Sequence, residues 1–162
     1  MQTALKLPKP SGIGAVMSQL VDGAPAFARG GDDFDYCSDA KSYTAVLLDD
    51  QNQPIGALIA DLVAAVYLGG NFMMAPEDAL AEQVKSKQAG DATIMAFSEI
   101  ANIITTSFNA LDGNPHVRSC PATDTAKVLA TELGSWMKAP GKRTDVVADF
   151  PWGKGRLILV SR

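Results

Sequence analysis

Glu99 and Asn102 are the residues of this sequence whose types and spacing most clearly suggest a reactive or binding site. They stand three positions apart, so on a helix their side chains are neighbours on one face. The other polar residues of that face carry only hydroxyl or amide groups, namely Ser98, Thr105, Thr106 and Asn109. A solvent-facing helix usually carries charged pairs, so one acid and one amide among small groups favour docking against a partner. Such a pair also arises by chance on amphipathic helices, which leaves a purely structural interpretation open.

The other chemically capable residues form weaker patterns. The sequence has one histidine, His116, which excludes any site that needs two. His116, Arg118 and Cys120 alternate onto one side of a predicted strand like part of a metal site, but we interpret them as packing residues because no further carboxylate accompanies them. Cys37 and Cys120 are far apart and form no Cys-x-x-Cys motif, so we expect both thiols to be reduced. The glycine-containing stretches SGIG and WGKG lack the spacing of phosphate-binding loops and predict turns.

A long helix must position Glu99 and Asn102. Apolar residues recur at alternating spacings of three and four along the segment 91–111, which predicts a helix with Asp91 as its N-cap. The apolar stripe consists of Ile94, Phe97, Ala101, Ile104, Phe108 and Leu111, with Ile100 and Ile103 on its flanks. We expect this stripe to pack on a sheet, which leaves Glu99 and Asn102 on the exposed side.

The remaining elements are predicted from apolar runs and from the turn residues between them. Helices are predicted at 11–20 with Ser11 as N-cap, from Asp61 as N-cap to the glycines at 69 and 70, and from Pro76 to about Lys87. Strands are predicted at 43–48 and 55–60 as a hairpin, at 116–120, and at 145–150 and 156–160 around the turn PWGKG. The segment 123–137 is expected to be partly helical.

The two halves of the chain resemble each other. Asp22-Gly23-Ala24-Pro25 matches Asp112-Gly113-Asn114-Pro115, and AVLLDDQNQPIGALIA matches DVVADFPWGKGRLILV further on. We therefore predict an α+β fold of two pseudosymmetric halves, in which long helices pack on an antiparallel sheet. The chain 1–162 would be one domain, with a first half at about 8–60, a helical insertion at 61–90 and a second half at about 91–162.

Composition limits the class of protein further. A chain of 162 residues with a mean hydropathy of +0.06 is expected to form one globular domain. Its net charge of −4, without a cluster of Lys or Arg, argues against nucleic acid and anionic membrane as partners. No apolar run is long enough for a membrane helix, and the first residues lack the features of a secretory signal. We therefore expect a cytoplasmic protein.

The run Ser98-Glu99-Ile100-Ala101-Asn102-Ile103 resembles the Glu-x-x-Asn signature of the CheC/CheX/FliY chemotaxis phosphatases. That family hydrolyses the aspartyl phosphate of CheY-type response regulators, and the layout of two helix-and-strand halves is similar to its fold. The family pattern continues to a proline that enters the next strand. Here Pro121 follows Asn102 after 18 intervening residues, a shorter connection than the family has.

The resemblance implies a role for each residue of the pair. Asn102 would position the attacking water, and Glu99 would pair with a lysine of the regulator. There would be one site at most, because Lys9 and Gly12 stand at the corresponding positions of the first half. Mg²⁺ is expected on the phosphorylated regulator, and no cofactor is expected on this chain.

Two alternatives to a phosphatase stay open at this stage. The chain could be a non-catalytic interaction module, similar to flagellar switch proteins, that docks on a signalling partner through the same helix. It could also be a globular domain of unrelated function whose helix matches by chance. Exposed hairpin edges would also allow a homodimer.

Overall fold

One antiparallel sheet organises the computed structural model, which describes residues 4–21, 23, 26–31, 33–38 and 40–162. Within these described residues the sheet has seven strands: β1 (Ala28–Arg29), β2 (Ser42–Leu48), β3 (Pro54–Asp61), β4 (Arg118–Ser119), β5 (Thr123–Asp124), β6 (Lys142–Phe150) and β7 (Gly153–Ser161). Their order across the sheet is β1-β6-β7-β3-β2-β4, and β5 also pairs with β2. The two long hairpins, β2–β3 and β6–β7, therefore lie side by side at the centre.

Six helices accompany this sheet in the described part of the chain. They are α1 (Pro10–Leu20), α2 (Leu62–Phe72), α3 (Glu77–Lys85), α4 (Asp91–Asn109), α5 (Thr125–Leu129) and α6 (Gly134–Met137). Side chains alternate between the two faces along each strand, and both faces are covered. Leu58 of β3 joins the larger core with α2 and α4, whereas Ile59 joins a smaller core with residues of α5 and α6.

The two central hairpins carry the same register at an offset of 100 residues. Ala45 pairs with Leu58 in the first hairpin, and Asp145 pairs with Ile158 in the second. The correspondence holds from the open ends of both hairpins to the approach to their turns, where β2 has a bulge after Leu47. The repeat predicted from the sequence is therefore a repeat of backbone structure.

The pairing between β3 and β7 obeys the same symmetry. Leu58 pairs with Leu159, and Ile59 pairs with Ile158. The offset of 100 relates Leu58 to Ile158 and Ile59 to Leu159, so it converts the first pair into the second. The sheet therefore consists of two pseudosymmetric halves around an axis at this point, as predicted.

The helix α4 is held by its apolar side. Phe97, Ile100, Ile104 and Phe108 are all 0% exposed and belong to the larger core. Helix α2 approaches α4 so closely that a Cβ on Gly69 would lie 2.4 Å from the Thr93 carbonyl oxygen. This packing determines which side of α4 faces outward.

The start of α2 confirms one prediction, and its end corrects another. Asp61 is the N-cap of α2, and its carboxylate accepts a hydrogen bond from the Ala64 N–H at 2.9 Å. The glycines at 69 and 70 do not end the helix, which continues to Phe72. They lie inside it because α4 and Leu80 leave no space for a side chain there.

Other boundaries also differ from prediction. Helix α1 starts at Pro10 with Lys9 as N-cap, since a proline suits the first position of a helix and Ser11 is already inside. Gly90, not Asp91, is the N-cap of α4, which ends at Asn109. The first D-G-x-P turn cannot be compared with the second, because Asp22, Ala24 and Pro25 are outside the described residues.

Two further corrections concern the strand after α4 and one polar residue of the helix. The predicted strand at 116–120 is reduced to the two residues of β4. The sequence pattern predicts Thr105 on the exposed face, but Thr105 is 5% exposed. It lies four residues after Ala101 on the buried side, where its hydroxyl donates to the Asn102 carbonyl oxygen within the helix. No helix of the described residues is long and apolar enough to cross a membrane.

Candidate functional site

Glu99 and Asn102 both lie exposed on the outer side of α4. The residues between them, Ile100 and Ala101, are 0% exposed, so the burial of the apolar stripe turns the polar pair outward. The sequence predicts this placement correctly. Within the described part of the chain, Glu99 forms no ion pair, so its carboxylate is available to a partner.

A shallow hollow of about 210 Å³ lies beside this pair, between α4 and the segment that contains β4. Its lining consists of Ser98, Glu99, Asn102, Ser119, Cys120 and Pro121. Pro121, the proline that continues the family pattern, lines the same hollow as the Glu-Asn pair. The shorter connection after α4 still brings the proline to this position.

Side chains of α4 hold the segment after it at two points. Asn109 donates through Nδ2 to the Val117 carbonyl oxygen at 3.0 Å and accepts from the Val117 N–H at 2.7 Å. About three helical turns earlier on α4, Ser98 Oγ accepts from the Ala122 N–H at 2.8 Å. The segment from Val117 to Ala122 is therefore hydrogen-bonded to α4 on either side of Asn102. Sequence reasoning missed both contacts.

The sheet holds the same segment from its other side. Ser119 pairs with Leu47 of β2, and the Cys120 N–H donates to the Val46 carbonyl oxygen at 2.8 Å. From this position the Ser119 hydroxyl donates to Asn102 Oδ1 over a long distance of 3.5 Å. Ser119 is the one residue of the segment whose side chain bonds to the predicted site pair among the described residues.

The residues that alternate along the predicted strand do not form a metal site. His116 Nδ1 lies 3.0 Å from Asp50 Oδ1, and Arg118 donates to the Asn52 side chain, so both bind the turn between β2 and β3. Cys120 is half-buried and packs against the smaller core. No group of three or more potential metal ligands occurs among the residues that the structure describes. Both cysteines are free thiols.

The first half of the chain has different residues at the corresponding place. Lys9 is the N-cap of α1 with extended backbone angles, so it precedes the helix instead of sharing a face with Gly12. On the sheet, Val147 is the counterpart of Leu47 by the offset of the hairpins. Val147 pairs with Ala28, which therefore stands where Ser119 stands in the second half.

Comparisons with solved structures define the class of fold. A chain of the CheX–CheY–BeF3–Mg²⁺ complex from Borrelia burgdorferi matches with a TM-score of 0.59 at 13% identity, over 94% of each chain. A CheC-like superfamily protein from Shewanella sp. PV-4 matches with a TM-score of 0.53 at 9% identity, over 100% of this chain and 99% of the other. A chain of the FliM–SpeE complex from H. pylori matches with a TM-score of 0.67 at 7% identity, over 94% and 80%.

The protein therefore has an α+β fold of the CheC/CheX/FliY type, as the resemblance in the sequence implies. These identities are too low to show more than the fold. No protein-family model matches the sequence, and no curated protein matches it.

Proposed function

We propose that this protein dephosphorylates the aspartyl phosphate of a CheY-type response regulator through Glu99 and Asn102. One observation carries the proposal: the two side chains lie exposed and adjacent on α4, beside a hollow that Pro121 lines. A pair buried in the core would have removed this possibility. The fold supports the proposal, since one matching structure is a complex that contains CheX, CheY and the ions BeF3 and Mg²⁺.

Asn102 would hold the attacking water. An asparagine amide offers two donor hydrogens and an acceptor oxygen, so it can fix a water in line with the phosphorus and opposite the leaving carboxylate. The water oxygen forms the new bond to phosphorus as the bond to the aspartate oxygen breaks. The electron pair of that bond returns to the aspartate as carboxylate, and the protons of the water remain on the released phosphate or pass to solvent.

Glu99 would fix the register of the complex and is not needed as a base. Its exposed carboxylate suits an ion pair with a lysine of the regulator. Exposed ion pairs contribute only about 0–1 kcal/mol, so Glu99 would act on association and alignment more than on the chemical step. Mg²⁺ would belong to the regulator, where it screens the charge of the phosphoryl group.

A second candidate function is docking without catalysis. The short connection between α4 and Pro121, and the absence of a Glu-x-x-Asn pair from α1, favour this alternative. The match to a chain of the FliM–SpeE complex is also consistent with an interaction module on this fold. In this case the exposed face of α4 would bind a signalling partner and leave it chemically unchanged.

Phosphate release from CheY-type regulators of the same genome distinguishes the two functions. Each regulator is phosphorylated with a small-molecule donor, and release is followed with and without this protein. A phosphatase accelerates the release from at least one regulator. A docking module binds the phosphorylated and unphosphorylated forms equally and gives no acceleration.

On this proposal the protein works in the cytoplasm, where its partner is a soluble receiver domain. A homodimer remains a prediction. The short strands β1 and β4 lie at the two ends of the strand order, where a second copy could add to the sheet. Analytical ultracentrifugation over a range of concentrations would test it.

A further inference from the structure

Ser119 occupies a fixed position opposite Asn102. Its backbone is paired to Leu47 of β2, and the contacts of Asn109 with Val117 and of Ser98 with Ala122 hold the segment against α4. The Ser119 hydroxyl can therefore move only by rotation of its own side chain. This hydroxyl donates to Asn102 Oδ1 at 3.5 Å.

An exposed asparagine needs such a partner to present one particular end of its amide. The last torsion of the side chain is broad and nearly two-fold, so the helix backbone does not decide which way oxygen and nitrogen point. A fixed donor on one side attracts the oxygen and turns the NH₂ group to the other side. In the described part of the chain, Asn102 Nδ2 makes no hydrogen bond, so its hydrogens are available to a partner.

We propose that Ser119 is a positioning residue that orients the Asn102 amide, with its oxygen toward β4 and its NH₂ group toward the docked regulator. The inference rests on the proposed function and adds to it the residue that orients Asn102. The long distance fits this role, because hydrogen bonds of a catalytic group are often long in the free protein and tighten in the complex.

The test compares Ser119→Ala with Ser119→Thr in single-turnover and steady-state phosphate release. We expect Ser119→Ala to lower kcat about three- to tenfold, the change that accompanies loss of one neutral hydrogen bond. KM should stay unchanged, because Ser119 does not contact the regulator in this account. Ser119→Thr keeps a hydroxyl and should restore kcat. Ser135→Ala, the same change on the exposed surface of α6, is the matched control and should behave as wild type.

The double variant Ser119→Ala/Asn102→Ala tests whether Ser119 acts through Asn102. We expect it to have the activity of Asn102→Ala alone, since the orientation of a missing amide is irrelevant. A wild-type kcat for Ser119→Ala, or a further loss in the double variant, would overturn the inference. Failure of the proposed function is recognised separately, by equal phosphate release with wild type and Asn102→Ala.

A second measurement does not depend on turnover. The two side-chain amide resonances of Asn102 in a ¹⁵N–¹H spectrum report the surroundings of its NH₂ group. We expect them to shift in Ser119→Ala and to stay near their wild-type positions in Ser119→Thr and Ser135→Ala. Unchanged Asn102 resonances in Ser119→Ala would overturn the proposed orientation of the Asn102 amide, even if the protein has no phosphatase activity.

Discussion

The two halves of this molecule share a sheet but not a site. Their central hairpins have the same register at an offset of 100 from their open ends as far as Leu47 and Val147. Beside the first helix, however, the corresponding positions carry Lys9, Gly12 and Ala28, whereas the second half carries Glu99, Asn102 and Ser119. Burial of the shared apolar layer maintains the backbone symmetry, and it places no demand on the exposed side chains.

The position at which each helix starts explains much of the difference between the two halves. Helix α4 starts at Asp91, so Glu99 and Asn102 lie in its middle turns, where both side chains have a fixed direction. Helix α1 starts at Pro10, so Lys9 is outside the helical turns. A pair at i and i+3 shares a face only when both members are helical. The first half therefore lacks the structure for such a pair as well as the residues.

Among the variants that test the difference between the two halves, Asn109→Ala is expected to have the largest effect on the free energy of unfolding. Asn109→Ala leaves the N–H and the carbonyl of Val117 without their partner, and Val117 is 1% exposed. Both bonds are part-buried, and an unpaired group costs about 1–3 kcal/mol when it is fully buried, so we expect the free energy of unfolding to fall by about 1–3 kcal/mol in total. Phosphate release should fall by about tenfold or more, because the segment beside Asn102 is loosened.

The matched control is Gln19→Ala on α1, at the position equivalent to Asn109 by the offset of the D-G-x-P motifs. Gln19 is exposed, and we expect this variant to change the free energy of unfolding by less than about 0.5 kcal/mol. Urea titration of both variants measures the difference. Equal destabilisation by the two changes would show that the contact of Asn109 with Val117 does not distinguish the halves.

A second, smaller contrast lies at the ends of β3 and β7, where Asp61 carries a carboxyl group and its counterpart Ser161 carries a hydroxyl group. Burial is the main cause that raises the pKa of Asp61 to about 6 from 3.8, although its hydrogen bond from the Ala64 N–H acts in the opposite direction. A carboxyl group with a raised pKa in the folded state holds its proton more tightly there than in the unfolded chain. Its contribution to stability therefore increases as the pH falls through about 6 and is lost as the pH rises through that value.

We expect this carboxyl to make the protein about 1 kcal/mol more stable at pH 5 than at pH 7, relative to Asp61→Asn. Asparagine keeps a side-chain oxygen for the N-cap and does not titrate. The measurement is the free energy of unfolding of both proteins at the two pH values. Parallel pH dependences would show that Asp61 is not the titrating group.

The smallest expected effect comes from copying the residue pair into the first half. A Cβ at Gly12 would meet Pro8 Cβ at 3.9 Å, an ordinary contact, so a larger side chain can be tolerated there. We expect Lys9→Glu/Gly12→Asn to leave phosphate release unchanged, both in the wild-type background and with Asn102→Ala. Restored phosphate release in the Asn102→Ala background would show that the site needs neither a pair inside a helix, as on α4, nor a hydroxyl group such as that of Ser119.

The sequence predicts most of the fold where the signal is periodic. The apolar stripe of α4 correctly places Glu99 and Asn102 outside, apolar runs around turn residues predict both hairpins, and Asp61 predicts the start of α2. The resemblance to CheC/CheX/FliY proteins rests on a short motif and on the layout of two halves, and the solved structures confirm the type of fold that it implies. These features are local in sequence or depend on a regular spacing.

The contacts that complete the site cannot be read from such patterns. Asn109 binds Val117 eight residues away, Ser98 binds Ala122, and Ser119 reaches Asn102, all through single side chains at irregular spacing. The pattern predicts the wrong face for Thr105, because a threonine beside a buried stripe can donate its hydroxyl to the helix backbone. Tertiary packing determines these details, and a sequence alone does not give it.

Phosphate release by Asn102→Ala shows whether Asn102 positions the attacking water. Asn71→Ala removes the same group from an exposed position on α2 and is the matched control. We expect wild type and Asn71→Ala to accelerate release from a cognate regulator, and Asn102→Ala to be slower by roughly 100-fold or more. Its free energy of unfolding should stay within about 0.5 kcal/mol of wild type. Equal acceleration of phosphate release by wild type and Asn102→Ala would contradict the role of Asn102 in positioning the water. No acceleration of release from any regulator by wild type would contradict the phosphatase activity itself.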